Sequence, residues 1–419
     1  MSGRRICMVT TFYPPRSFGG DGIAVQSLAR ALVHRGHHVS VICDDDAYRT
    51  LSGNQSEAPP ETEDGVVVHR LRSRFGSLAI GLTQQTGRPI VHGRRIARIL
   101  HDGAFDVVHY HNVSLVGGPA VLAYGDAVKL YTAHEHWLVC PTHVLWRHGR
   151  EPCPARQCLR CQLSYGRPPQ AWRHTGLLEG NLRCVDAFIA VSRFSRAKHH
   201  EFGFSREMEV IPGFVRDPGP PRRTPPKSGE RPYFLFVGRL EKLKGLDDVV
   251  ERFTAFPDAD LRIAGEGADR ARLEQIAAGS PRVQFLGFQS GEDLARLYEG
   301  ATAVIASSRG FETFGMSVIE AFSKGVPVLA RRLGSYLELV EGSGAGATFA
   351  DADELEVELH RMLDDAENHE KLRARAYELF RTTYSEDAVL PRYLELIDRL
   401  STERRPAAGR SHATEPVSA

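Results

Sequence analysis

The sequence predicts an α/β protein of two domains, each built around a parallel sheet. Three observations carry that expectation. The chain has 419 residues, more than one hydrophobic core sustains. Short apolar runs followed by Gly-containing polar loops and then by helix-like segments recur in both halves, the order of parallel βαβ units. Between the halves, residues 217–231 carry five prolines with several Arg and Lys and read as a linker.

Composition excludes some partners. Hydrophobic residues make up 42%, charged residues 25%, and the net charge is +1, so nothing draws the chain in bulk to nucleic acid or to an anionic membrane. No apolar run approaches the ~18 residues that span a bilayer. Met1-Ser-Gly-Arg-Arg-Ile leads straight into a core-like strand, so a cytoplasmic protein is expected. Seven cysteines are unusual as disulfides in that compartment.

In the first half, Arg5-Ile-Cys-Met-Val-Thr-Thr is a compact apolar strand. The loop after it holds Gly19-Gly20, where the backbone can approach a ligand, and Asp21, an N-cap or a group open to an acceptor. A helix is expected from Ile23 to about His34, with Ile23, Leu28, Ala31, Leu32 and Val33 on its buried face. The strand His38–Cys43 runs into Asp44-Asp45-Asp46, read as a solvated loop and not as a metal-binding D-x-D; Asp258-Ala-Asp260 repeats that pattern by accident. Residues 50–64 read as a polar excursion, and Gly87–Leu100 as a helix whose Arg88, Arg94, Arg95 and Arg98 form a solvated face, with a membrane surface or an anionic acceptor as the alternative.

Asp106–His111 and Lys129–His134 are strands that deliver His109, His111 and His134 at their carboxyl ends, the edge where parallel sheets bind ligands. Cys140, Cys153, Cys158 and Cys161 follow in the spacing C-x12-C-x4-C-x2-C, which suits one tetrahedral structural zinc, with free thiols or disulfides as the alternatives. Four ligands would close such a site and leave no catalytic position. A helix over Gly176–Cys184, a strand at Ala187–Ser192 and the stretch Val210–Val215 complete this half.

The second half opens with Tyr233-Phe-Leu-Phe-Val-Gly238, a strand ending in Gly. Arg239 and Lys244 in the loop beyond it are two cations that can neutralise a diphosphate, unless they serve surface ion pairs. Asp260–Gly267 is a strand with a Gly265-x-Gly267 turn, but Arg270 stands where a third glycine is needed, so the dinucleotide fingerprint fails. Val283–Phe288 is the next strand. Then Ala303–Ala306 stops like a buried strand, a polar loop follows, Met316–Ser323 reads as a helix with Gly325 at its end, and Val326–Ala330 is a strand again. Glu312 lies in that loop and Glu320 about a turn and a half into the helix, so both carboxylates face one crevice. The first free amides, from Phe314, Gly315 and Met316 onward, suit a phosphate between them.

Phe311-Glu-Thr-Phe-Gly-Met-Ser-Val-Ile-Glu-Ala321, followed by Gly325-Val-Pro-Val, resembles the E-x7-E signature of retaining GT-B glycosyltransferases, specifically family 4 (group 1). The resemblance covers about residues 4–400. It implies two facing Rossmann-like domains with a cleft between them: an acceptor-binding domain at 1–216 with a Cys-rich insertion at about 138–165, a linker at 217–231, a nucleotide-sugar domain at 232–387, a helix at 388–401 crossing back to the first domain, and a disordered tail at 402–419.

The same resemblance implies transfer of a sugar, with retention, from a UDP- or GDP-sugar to a hydroxyl or thiol on a small molecule, a lipid-linked glycan or a polysaccharide. Arg239 and Lys244 would stabilise the departing diphosphate, Glu320 would hold the ribose, and Glu312 and His134 the sugar hydroxyls. Gly19-Gly20 would face the diphosphate and the acceptor, Gly238 and Gly265 would line the donor site, and backbone groups around Phe288 would hold the base. No catalytic metal is implied, and the cysteine insertion is a departure from most members. A GT-B nucleotide-sugar epimerase and a non-catalytic sugar- or partner-binding protein are the alternatives; the presence of Arg239, Lys244, Glu312 and Glu320 together argues against the second.

Overall fold

A computed structural model describes residues 3–53, 59–222 and 231–404. Most of the expected linker (223–230), nearly all of the expected tail (405–419) and the middle of the 50–64 excursion lie outside the described residues.

The first half forms β1 (Arg5–Val9), β2 (His38–Asp44), β3 (Thr62–Glu63), β4 (Val66–Leu71), β5 (Val107–Tyr110) and β6 (Val128–Ala133), then a small hairpin of β7 (Trp146–Arg147) and β8 (Glu151–Pro152), then β9 (Ala187–Ala190) and β10 (Met208–Val210). Apart from the hairpin they make one sheet in the order β10-β9-β6-β5-β1-β2-β4-β3, parallel except for β3. The second half forms β11 (Tyr233–Val237), β12 (Asp260–Ala264), β13 (Val283–Gly287), β14 (Ala303–Ala306), β15 (Val328–Arg331) and β16 (Gly346–Phe349), a parallel sheet in the order β13-β12-β11-β14-β15-β16. Helices cover both faces of each sheet, so these are two Rossmann-like domains.

Strand alternation explains why each sheet has two cores. Ile6 and Met8 pack in one cluster and Cys7 and Val9 in another, on the opposite face of β1. Tyr233 and Leu235 divide from Phe234 and Phe236 in the same way. The last helix, Glu386–Arg404, buries Val389, Leu390, Tyr393, Leu396, Ile397 and Leu400, and these side chains lie in the cluster of Ile6 and Met8. Their three- and four-residue spacing makes one apolar stripe, each side chain contributing on the order of 1.5–3 kcal/mol when buried. The C-terminal helix therefore completes the core of the first sheet.

Both sheets reverse winding direction at a central strand pair, β1 and β5 in the first and β11 and β14 in the second. Crevices open at the carboxyl ends of such pairs. The loops after these four strands are the ones that carry Gly19-Gly20, His111, Lys244 and Glu312.

Three local expectations are corrected. The helix expected from Gly87 to Leu100 starts only at Gly93 and runs to Asp102, because Gly87 at φ 66° ends a preceding helix, Ser77–Thr86, and Pro89 follows. Arg94, Arg95 and Arg98 are exposed on the helix Gly93–Asp102. The first long helix begins at Gly20 instead of Ile23. Asp44-Asp45-Asp46 is not a solvated loop: all three are buried, and Asp44 caps the helix Asp45–Ser52 by accepting from Ala47 N. No helix among the described residues is long and apolar enough to cross a membrane.

Candidate active site

The loop from Ser307 to Gly315 leaves β14 and enters the crevice. Lys244 Nζ donates to Glu312 Oε1 at 2.5 Å, and Ser308 Oγ donates to the same oxygen at 2.6 Å. Both members of the ion pair are one-fifth exposed. Burial pushes the Glu312 carboxyl up, but Lys244, Ser308 and Arg239 outweigh it and hold the group below the ordinary glutamate value, so it is ionised. Arg239 is exposed and pairs with Glu241 at 2.8 Å.

Helix Met316–Ser323 starts at Gly315, whose φ of 122° and closeness to Tyr336, 3.0 Å from where a Cβ would stand, admit only glycine. Its first backbone bond is Val318 N to Gly315 O, which leaves the preceding amides at the crevice. Phe314 is buried beside Tyr384, and Ser335 holds its carbonyl. Glu320, on the same helix, accepts from Tyr298 OH at 2.7 Å; burial lifts its carboxyl above the usual value against that bond.

Gly238 and Gly265 also serve backbone packing. A Cβ on Gly265 would stand 1.9 Å from Gly238 O, so the loops after β11 and β12 cross without room for a side chain. Gly238 N donates to Ala264 O and Gly265 N to Gly287 O, which laces three strand ends together. Phe288, just past Gly287, projects 77% exposed from the end of that row.

On the opposite wall, His134 Nε2 lies 2.9 Å from His111 Nδ1. His111 packs at a tilt of 38° against His109, which is hydrogen-bonded to Thr132 Oγ1 (2.8 Å) and to Tyr393 OH (3.0 Å) of the C-terminal helix. Burial lowers all three imidazoles below the ordinary histidine value, so they are neutral and one proton lies between His111 and His134. His111 Nε2 is buried without a partner. A stranded N–H there is costlier than a stranded lone pair, so His111 carries its proton on Nδ1 and donates it to His134. His134 is then protonated on Nδ1.

The Glu312 loop is fastened to this wall. Thr313 Oγ1 donates to His134 O (2.6 Å), Ser192 Oγ to Thr313 O (2.5 Å), and His136 Nε2 lies 3.3 Å from Phe311 O. Glu338 accepts from the amides of Arg193 and Phe194, capping a first-domain helix from the second domain. Met316 Cγ is 3.8 Å from where a Cβ on Gly20 would stand. Thus Gly19-Gly20, His134, Glu312, Lys244 and Gly315 share one crevice, while Arg239 and Phe288 mark its exposed rim. The roles of Ser192, Tyr298, Thr313 and Glu338 had no signal in the sequence, since each acts on a partner brought in by the fold, whereas Ser308 bonds Glu312 four residues away in the same loop.

The buried triplet lies elsewhere on the first domain. Ligand atoms of Asp44, Asp46 and His92 come within 4.8 Å of one another. Asp46 is occupied by Ser73 N and Oγ and by His92 Nε2, and Asp45 pairs with Arg16. The four cysteines of the insertion line a separate cavity beside β7.

Two facing Rossmann-like domains with a cationic loop and paired glutamates at their switch points define a glycosyltransferase of the GT-B fold. Family models agree with that class over both halves: Glycosyltransferase Family 4 matches residues 18–217 and Glycosyl transferases group 1 matches 221–379. The chain belongs to this family of group 1 glycosyltransferases. A lipopolysaccharide core biosynthesis glycosyltransferase, LpsD of Rhizobium meliloti, is 30% identical over 223 residues, 51% of this chain and 64% of that enzyme. Among solved structures, sucrose-phosphate synthase of Thermosynechococcus elongatus superposes with a TM-score of 0.74 at 19% identity, covering 96% of this chain and all of that one. HepE of Anabaena, solved with UDP and glucose, gives 0.67 at 18% identity over 94% and 99% of the two chains.

Proposed function

We propose that the protein transfers a sugar, with retention at the anomeric carbon and without a catalytic metal, from a UDP- or GDP-sugar to a hydroxyl or thiol of an acceptor held against the first domain. The observation that carries this reading is the Lys244–Glu312–Ser308 cluster beside the Gly315 helix start, facing His134. The HepE complex, with UDP in a protein of the same fold, supports a nucleotide donor, and the bond from Tyr298 that fixes the Glu320 carboxylate supports a role for it in holding ribose hydroxyls.

In this mechanism Lys244, Arg239 and the amides after Gly315 stabilise charge as the bond from the anomeric carbon to the diphosphate oxygen breaks. The acceptor oxygen or sulfur bonds to that carbon from the face the diphosphate leaves, and its proton passes to the departing phosphate oxygen. Glu312, kept ionised, accepts from the sugar hydroxyls, and His134 donates to them through Nδ1. The loop fastened through Thr313, Ser192 and His136 excludes water from the sugar.

Thermal shift against UDP-, GDP-, ADP- and dTDP-sugars tests the donor, since a ligand at 100 times its Kd adds about 2.7 kcal/mol of stability. A shift with one nucleotide sugar that Glu320→Ala abolishes is the expected result. Silence across the panel and in calorimetry would turn the assignment toward a binding protein without turnover.

A further inference from the structure

We propose that Cys140, Cys153, Cys158 and Cys161 bind one structural zinc ion that fixes the insertion next to the cleft. The four residues, all within one 22-residue stretch, line a single cavity of about 20 Å³, and all four are free thiols. No carboxylate lines it among the described residues, so its donors are soft sulfurs, which select zinc over magnesium, calcium or manganese.

The site has a buried half and a part-buried half. Cys140 and Cys161 are buried. Cys140 Sγ lies 3.3 Å from Thr142 Oγ1, and the backbone N–H of His148 donates to Cys161 Sγ at 3.4 Å, a bond that favours a thiolate. Cys153 and Cys158 are only part-buried and bracket the loop between β8 and the helix Cys158–Ser164. The four sulfurs do not yet form a group as tight as Asp44, Asp46 and His92. Zinc–sulfur bonds of ~2.3 Å would draw Cys153 and Cys158 inward onto the buried pair.

Backbone conformation points to the same cross-link. Six non-glycine residues among those described have positive φ, and three of them, His143 (75°), Leu145 (45°) and His148 (52°), fall between Cys140 and Cys153. Such conformations persist where surrounding structure over-determines them. The segment has little regular structure of its own beyond a two-residue hairpin. Its first ligand is tied to the cleft: Cys140 N donates to His136 O (2.8 Å), and His136 reaches Phe311 O of the second domain. A metal at this point would anchor the stretch that carries His134 and His136.

Elemental analysis of the purified full chain tests the site, with Cys153→Ser and Cys158→Ser as the variants and Cys184→Ser as the control. The expected result is about one zinc per chain in the wild type and the control and almost none in either variant. Reconstitution with cobalt(II) should give the absorption of a tetrahedral tetrathiolate, lost in both variants. The idea fails if the protein carries no metal and the insertion's thiols all react freely in the folded state. Zinc retained in both variants would place the ion elsewhere and overturn it, and iron with acid-labile sulfide would overturn zinc. Metal content is read without any turnover assay, so failure here leaves the glycosyltransferase reading standing.

Discussion

The two walls of the cleft are built differently. On the second domain the functional groups come from short stretches after two strands that neighbour each other in the sheet: Lys244 lies seven residues after β11, and Glu312, Gly315 and Glu320 all lie within the βαβ unit that starts at β14. On the first domain they come from dispersed segments, with His111 from β5, His134 from β6, Tyr393 from the far end of the chain and an irregular insertion beside them. A wall made of local motifs carries its chemistry in a readable order. A wall made of distant contacts carries it in packing, so the two should respond differently to mutation.

The sharpest test of that contrast is Lys244→Ala. It removes the cation facing a departing diphosphate and leaves the Glu312 carboxylate without its ion-pair partner. Turnover should fall by roughly 10²–10³-fold, the usual cost of losing one transition-state donor, with the circular dichroism spectrum unchanged. Wild-type turnover in this variant would remove the second domain's claim to the chemistry.

Glu320→Ala should act on binding more than on turnover. Losing hydrogen bonds to a charged acceptor costs about 1.5–3 kcal/mol, so donor Kd should rise roughly 10- to 100-fold. Burial lifts the Glu320 carboxyl. Because its ionised form is the one that accepts from hydroxyls, donor affinity should decline on acidification at a higher pH than an ordinary glutamate would give. Calorimetry across pH checks both statements, and an affinity independent of residue 320 would move the nucleotide elsewhere.

His111 tests the other wall, where one imidazole works through another. His111→Phe keeps a ring against His109 but removes the N–H given to His134, freeing His134 to change tautomer. The expected loss is about tenfold in kcat with donor Kd unaltered, less than the roughly 10²–10⁴-fold that a proton-transferring group supplies, because His111 acts through His134. His111→Asn, which restores an N–H donor, should recover most of it. Equal damage in both variants would mean that His111 only fills space.

The same contrast explains what was legible in the sequence. The parallel α/β class, the two-domain fold and the family follow from periodicity and from the E-x7-E stretch, whose neighbours in sequence are neighbours in space. Tyr298, Ser192, Thr313 and Glu338 were illegible because each gains its role from a partner 22 to 179 residues away. The packing need for Gly265 is equally illegible, because Gly238 O, which stands where its side chain would be, comes from another strand end. The charged run at Asp44 was misread for a related reason: Ser73 and His92, which cover Asp46, arrive from later segments, and no local pattern announces them.

That buried run gives the mildest prediction. Burial, then Asp46 and Asp45, push the Asp44 carboxyl up to about 8 against the bond from Ala47 N. Its folded value lies above the ordinary 3.8, so folding favours the protonated form. The stability it contributes is full below about pH 4, declines as pH rises, and is gone once pH passes about 8. Asp44→Asn keeps a helix cap of similar strength without a charge. Its Tm should match the wild type near pH 4 and exceed it above pH 8 by about 2–4 °C for each kcal/mol of penalty removed. A Tm difference that stays constant across that range would mean Asp44 is ionised in the folded protein throughout, with a cation beside it.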